Sequence, residues 1–165
     1  MNIFTLSMAI LISLFFVSGV ASAAEPTVVI NGGGIARSNN EPLQMLAVGG
    51  FSAMEKKGIA KGQVQIKVVL AADPTISVAS IHGKVVCVKD HGGTWEVRFE
   101  LSKATGAVAG LLGLHGGIFL SDGGSPGANN DMVGEDLNPP FTAQCRDSVP
   151  VNLEPLFAGN FTVHQ

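Results

Sequence analysis

The sequence predicts an all-β protein, a single antiparallel β-barrel or β-sandwich domain of about seven to nine strands. Three observations carry this prediction. Apolar and polar residues alternate with period two over several stretches. Runs rich in Val, Ile and Phe are separated by clusters of Gly, Asn, Asp and Pro. No segment combines an amphipathic helical period with recognisable caps.

The elements follow in order. "TVVI" opens the exported part and leads into "NGGGIARSNNEP", which has the composition of a hairpin turn at Asn31-Gly32 or of a glycine bulge. "LQMLAVGGFSAM" continues through "EKKGIAKG" into "QVQIKVVL", where Val64, Ile66 and Val68 alternate with Gln63, Gln65 and Lys67. "ISVASIHGKVVCV" and "WEVRFEL" are joined across Asp90-His91-Gly92-Gly93, a hairpin by turn chemistry. The second of these runs places Trp95, Val97, Phe99 and Leu101 on one face and Glu96, Arg98 and Glu100 on the other. Such alternation predicts antiparallel sheet with one packed side and one wet side. "KATGAVAGLLGLHGG" holds too many glycines for a helix interior and reads as a strand-loop element. "GIFLSD", "MVGEDL" and "LFAGNFTVH" complete the strands.

The N-terminus predicts export. An apolar stretch from Ile3 to Val17 precedes Gly19 and "ASAAE", where Ala21 and Ala23 fit the small-residue pattern of a signal-peptidase site. The expected division is a cleaved signal peptide at 1–24 and one β domain at 25–165, with a secreted or periplasmic destination and no membrane insertion after cleavage. Residues 1–24 carry no charged side chain, so the formal net charge of -3 belongs to the remainder. A mildly acidic chain without a Lys/Arg cluster is unsuited to nucleic acid or to an anionic membrane surface. With no tyrosine and one tryptophan, Trp95, it also lacks a stacking platform for glycans or bases.

The two cysteines, Cys87 and Cys145, both lie in the exported part. In an oxidising compartment an even pair is most simply one disulfide. Closing a loop of roughly 60 residues stabilises by about 4 kcal/mol on the chain-entropy view.

Chemistry-bearing patterns are sparse. The glycines after "VVIN" do not complete a dinucleotide fingerprint, because Arg37 stands where the third glycine belongs and "SNNEPL" follows in place of a helix. His82, His91, His115 and His164 are scattered, with no metal-ligand spacing. "GGSPG" matches the letters of a serine nucleophile elbow at Ser125. Pro126 removes the backbone N–H that would serve as oxyanion donor, and no helix follows. "SDGGSPGANNDMVGED" concentrates oxygen donors: Asp122, Asn130, Asp131, Glu135 and Asp136 are candidate ligands for Ca²⁺. The spacing is not that of an EF-hand, and the same residues serve β-turns, with Asp122 and Asp131 as hydrogen-bond partners of the loop backbone. No other cofactor is implied. Asn160-Phe161-Thr162 is a glycosylation sequon.

"GQVQIKV", "HGKVVCV", "GIFLSDGGSPGANND", "AQCRD" and "FAGNFTVHQ" occur in that order. Together, over about Gly62 to His164, they resemble a family of exported, mostly bacterial all-β proteins of unassigned activity. Its marks are a G-x-V-x-C strand, a D-G-G-x-P-G-x-x-x-D loop and a late second cysteine. The resemblance implies that Cys87 and Cys145 pair and that Asp122 and Asp131 are the family's loop acids. It supplies no catalytic residues, and "ATGAVAGLLGLHGG" is an insertion relative to its pattern.

The resulting expectation is an exported, disulfide-stapled β domain, a non-catalytic binding or surface module for a small molecule or a surface partner. One alternative is a small barrel enzyme, isomerase- or hydrolase-like, with a pocket near Asp122 and His82 or His115. The other is a calcium-stabilised adhesion domain.

Overall fold

The computed structural model describes residues 27–38, 45–124 and 130–165. The segment 1–24 expected to be a signal peptide and Ser125 lie outside them. Among the described residues the chain forms β1 (Val28–Ser38), β2 (Met45–Lys56), β3 (Ile59–Leu70), β4 (Ser77–Asp90), β5 (Trp95–Gly106), β6 (His115–Ser121), β7 (Met132–Asp136), β8 (Glu154–Pro155) and β9 (Ala158–His164). A 3-10 turn at Ala109–Leu111 interrupts the glycine-rich segment between β5 and β6.

All nine strands belong to one antiparallel sheet of order β8-β7-β6-β5-β4-β3-β2-β1-β9. The chain is therefore a meander whose consecutive strands are neighbours, as tight turns allow. β8 and β9, at opposite edges of the sheet, are separated only by Leu156 and Phe157. Two residues cannot span a flat nine-stranded sheet, whose neighbours lie about 4.8 Å apart, so the sheet must curl until its edges meet. The hand-over is visible in consecutive backbone bonds: Leu156 N–H donates to Asp131 O beside β7 at 2.9 Å, and Phe157 N–H donates to Ile35 O on β1 at 2.7 Å. The fold is an incomplete barrel, one of the two architectures the strand pattern allowed.

The inward faces form the core. Ile30, Ala53, Val64, Val97, Phe99, Leu101, Leu120 and Phe161 are buried, joined by Trp95, Ile81 and Ile118. The "NGGG" stretch lies within β1, not at a turn, and its role is close approach. Gly32 is paired with Phe51 on one side and Phe161 on the other, whose rings lie 6.1 Å apart. A Cβ at Gly32 would stand 2.3 Å from that of Phe161, so no other residue fits without moving the strands.

The outward face departs from the expectation of a wet side. Glu96 and Arg98 on β5 are 0% exposed, although Glu100 on the same face is exposed. Residues 137–153, which connect β7 to β8, fold back as a strap over the outer face of β5, β6 and β7. Close packing is required there too, since a Cβ at Gly134 would come 2.7 Å from Val151 Cγ2. β6 is thus buried on both sides, which explains the continuous apolar run "IFL".

Cys87 and Cys145 form a disulfide that ties the strap to β4. Counting by two from Ile81 and Val85 would aim Cys87 inward. A bulge between Val85 and Cys87 shifts the register, so that Val88 pairs with inward Val97 and Cys87 with outward Arg98. The bulge is what presents the sulfur to the strap.

Candidate functional site

The sequence-predicted oxygen donors fall into four separate environments. Asp122 and Asp131 act on the barrel seam. Asp131, 3% exposed, accepts Gly123 N–H at 3.0 Å on Oδ1 and Phe161 N–H at 3.0 Å on Oδ2. Asp122 accepts Gly124 N–H at 2.8 Å on Oδ1 and Val163 N–H at 3.2 Å on Oδ2. Phe161 and Val163 lie two residues apart on the edge of β9 that faces away from β1, where a further strand would have supplied carbonyls. Two carboxylates supply the acceptors instead. Each of the four carboxylate oxygens is engaged by a backbone donor, and Asn130 at the same loop is exposed.

Asp136 points to the outer face and joins a buried ionic cluster under the strap. Arg98 Nη1 donates to Asp136 Oδ2 at 2.9 Å and to Glu96 Oε1 at 3.2 Å. Arg146, next to Cys145, donates its Nε to Asp136 Oδ2 at 2.6 Å and its backbone N–H to Glu96 Oε2 at 2.8 Å. Arg98 Nε reaches Thr142 O at 2.9 Å, and His91 Nε2 lies 2.9 Å from Glu96 Oε2. Burial pushes the Asp136 carboxyl up, but hydrogen bonds and charge from Arg146 and Arg98 outweigh it, holding the group below the usual carboxylate range. Two arginines against two carboxylates balance, as buried charges must. The cluster holds the strap down. The sequence carried one signal for it, Arg146 immediately after the cysteine that staples the strap.

Glu135 alone points into the barrel. Alternation along β7 sends Val133 and Glu135 inward and Gly134 and Asp136 outward. Inside lies an apolar cavity of about 40 Å³, walled by the backbone of Gly34 and Gly49 and by Phe51, Ile66, Ile118 and Phe161. It exists because the strand positions facing it on β1 and β2 are glycine and alanine, which leave the space unfilled. An open mouth of about 340 Å³ lies at the end where β1 and β7 finish, lined by Arg37, Asn138, Asn152 and Glu154. A third small recess of about 20 Å³ lies between β3, β4 and Leu137. Glu135 is the one residue that borders all three.

The Glu135 carboxyl is raised above its ordinary value, with burial as the cause and no hydrogen bond or cation offsetting it. No described Lys, Arg or His lies within ion-pair distance of it. The five oxygen donors are therefore not convergent, and among the described residues no three His, Cys, Asp or Glu side chains come together as a metal site.

Asp122, His82 and His115 do not border either the cavity or its mouth. His82, between inward Ile81 and Gly83, faces outward and lies 3.3 Å from Gln65 Nε2 in an external groove. Parity explains this. Sequence reasoning grouped residues by proximity along the chain, whereas the pleat sends neighbours to opposite faces.

No protein-family model matches the chain, and comparison with curated proteins and with solved structures gives no match. Among the described residues no helix is long and apolar enough to cross a membrane.

Proposed function

We propose that this protein is an exported, disulfide-stapled β-barrel that acts as a non-catalytic binding module, with its ligand seated in the mouth and cavity at Glu135. The observation that carries the reading is the pairing of a polar mouth with an apolar floor inside an otherwise side-chain-filled barrel. Ligand sites characteristically combine such an apolar surface with a few placed polar groups, in volumes of roughly 300–1,000 Å³. The export half of the reading rests on the N-terminal segment and on the disulfide, which persists in oxidising compartments. Membership of the exported family whose strand and loop motifs the chain resembles belongs to the same reading.

The test is binding of an apolar fluorescent probe to the full disulfide-bonded chain, compared with Ala36→Leu. Ala36 borders both cavity and mouth, so the larger side chain fills the site. Loss of probe binding in a normally folded Ala36→Leu variant supports the module. Equal binding in both proteins rejects it.

A second reading, a small barrel enzyme, is favoured by one specific observation, the carboxyl of Glu135 held above its usual range in an apolar setting. That is the environment of a general acid or base. Among the described residues it has no companion, since no second charged side chain there borders the inner cavity. Turnover abolished by Glu135→Gln with ligand binding retained would establish it in place of the binding module.

A further inference from the structure

Glu135 presents a problem that the folded chain does not solve. Glu135 is half-buried between cavity and mouth, and a carboxylate partly withdrawn from water is costly unless a cation or several donors compensate it. Its neighbours Gly34, Gly49, Phe51, Ile66 and Val133 offer no charged group. The cations of the outer cluster, Arg98 and Arg146, serve Asp136 on the opposite face of β7. Besides Glu135, the charged side chains at the mouth among the described residues are Arg37 and Glu154, and their signs cancel. The site as a whole thus carries the uncompensated charge of Glu135.

We propose that the pocket takes a small organic cation, an alkylammonium-type ligand, whose short aliphatic end enters the apolar cavity while its nitrogen pairs with the Glu135 carboxylate. This rests on the binding-module reading and adds the ligand's chemical class. An anionic ligand would meet Glu135 and Glu154 with like charge. A neutral ligand would leave the carboxylate uncompensated. The inner cavity of about 40 Å³ limits the apolar end to a few carbons, because a single water already needs about 10–15 Å³ on the same measure. Phe51 and Phe161 on its wall present aromatic surface to carbons next to a positive nitrogen.

The experiment uses the full disulfide-bonded chain and two matched series, n-alkylamines and n-alkanols from propyl to octyl. Binding is followed by calorimetry and by methyl NMR of Val133 and Leu156. At about pH 8, where an alkylamine is protonated much as lysine is, the amine should bind at least tenfold more tightly than the alcohol of equal length. Affinity should peak at a short chain. Glu135→Gln should abolish the amine's advantage while leaving the alcohol unchanged. Arg37→Gln, at an exposed position on the rim, removes a competing cation and should strengthen amine binding several-fold. It tests the idea even if Glu135→Gln disturbs the fold. The advantage should also shrink as pH falls and Glu135 takes up its proton, with Arg37 and Glu154 the other charged groups facing the site.

Equal affinity for amines and alcohols overturns the cation proposal and leaves the binding module standing, as does an amine advantage that survives Glu135→Gln. No binding of either series, together with an apolar probe insensitive to Ala36→Leu, overturns the module itself.

Discussion

Replacing Asp131 by alanine should open the barrel at its seam. In the folded protein its two oxygens accept Gly123 N–H and Phe161 N–H, each at 3.0 Å, and the residue is 3% exposed. Hydrogen bonds to an ionised acceptor contribute about 1.5–3 kcal/mol each, and truncation leaves the donors buried and unpaired. Asp131→Ala should therefore lose roughly 3–5 kcal/mol, a large share of a typical stability of 5–15 kcal/mol. Asp131→Asn should lose about half as much, because the amide keeps one acceptor but turns an NH₂ toward the other donor. Asp122→Ala should cost roughly 1–2 kcal/mol, since one of its two bonds is exposed and the other is longer. Urea unfolding gives these values directly. Amide exchange at Phe161 locates the effect, with protection falling about a hundredfold for each 2.8 kcal/mol lost. The reasoning is refuted if Asp131→Ala unfolds within 1 kcal/mol of the parent protein.

Glu135 and Asp136, adjacent in sequence, should respond to pH in opposite senses. The Glu135 carboxyl is raised in the folded state, so its contribution is unfavourable at neutral pH and the penalty fades as pH falls toward the ordinary value of 4.5. Glu135→Leu should accordingly stabilise the protein at neutral pH and not at acid pH, as read by thermal melts across the range. The Asp136 carboxyl is lowered, so its stabilisation is present above the ordinary value of 3.8 and is lost as pH falls through the folded value. Arg98→Met should cost about 3–5 kcal/mol, because it leaves the buried Glu96 and Asp136 with Arg146 as their one arginine. Less loss should follow from the double change Glu96→Gln, Arg98→Met, which removes one carboxylate with one cation and leaves Arg146 paired with Asp136. Removing the disulfide by Cys87→Ala and Cys145→Ala should cost about 4 kcal/mol for a separation of 58 residues. It should also expose residues 137–153 to limited proteolysis; resistance equal to that of the parent protein would show that the ionic cluster holds the strap without the disulfide.

Period-two alternation was enough to place β3 and β5, because a strand half-buried against a core must write its two faces into its own residues, and apolar runs bounded by turn residues marked β2, β4, β6, β7 and β9. The hairpin at Asp90-His91-Gly92-Gly93 was equally legible, since turn chemistry is local. The cysteine pair followed from count and compartment, as only two were present. What the chain order could not convey was the destination of each face. Glu96 and Arg98 look like solvent-facing residues of a strand, and they become interior only because a strap some forty residues downstream, with Thr142 standing 44 positions after Arg98, lies over them. "NGGG" looks like a turn, and becomes mid-strand because Phe161, at the far end of the chain, needs the space over Gly32. Asp122, Asn130, Asp131, Glu135 and Asp136 look like one ligand set. Curling of the sheet sends two to the seam, one to solvent, one to the cavity and one to the arginines. Sequence by itself determined most of the strands, the hairpin between β4 and β5 and the staple, because those depend on residues close together or few in number. Tertiary structure decided which carboxylates close the barrel and which one stands alone inside it, because barrel closure joins the two ends of the chain and pleat parity separates neighbours.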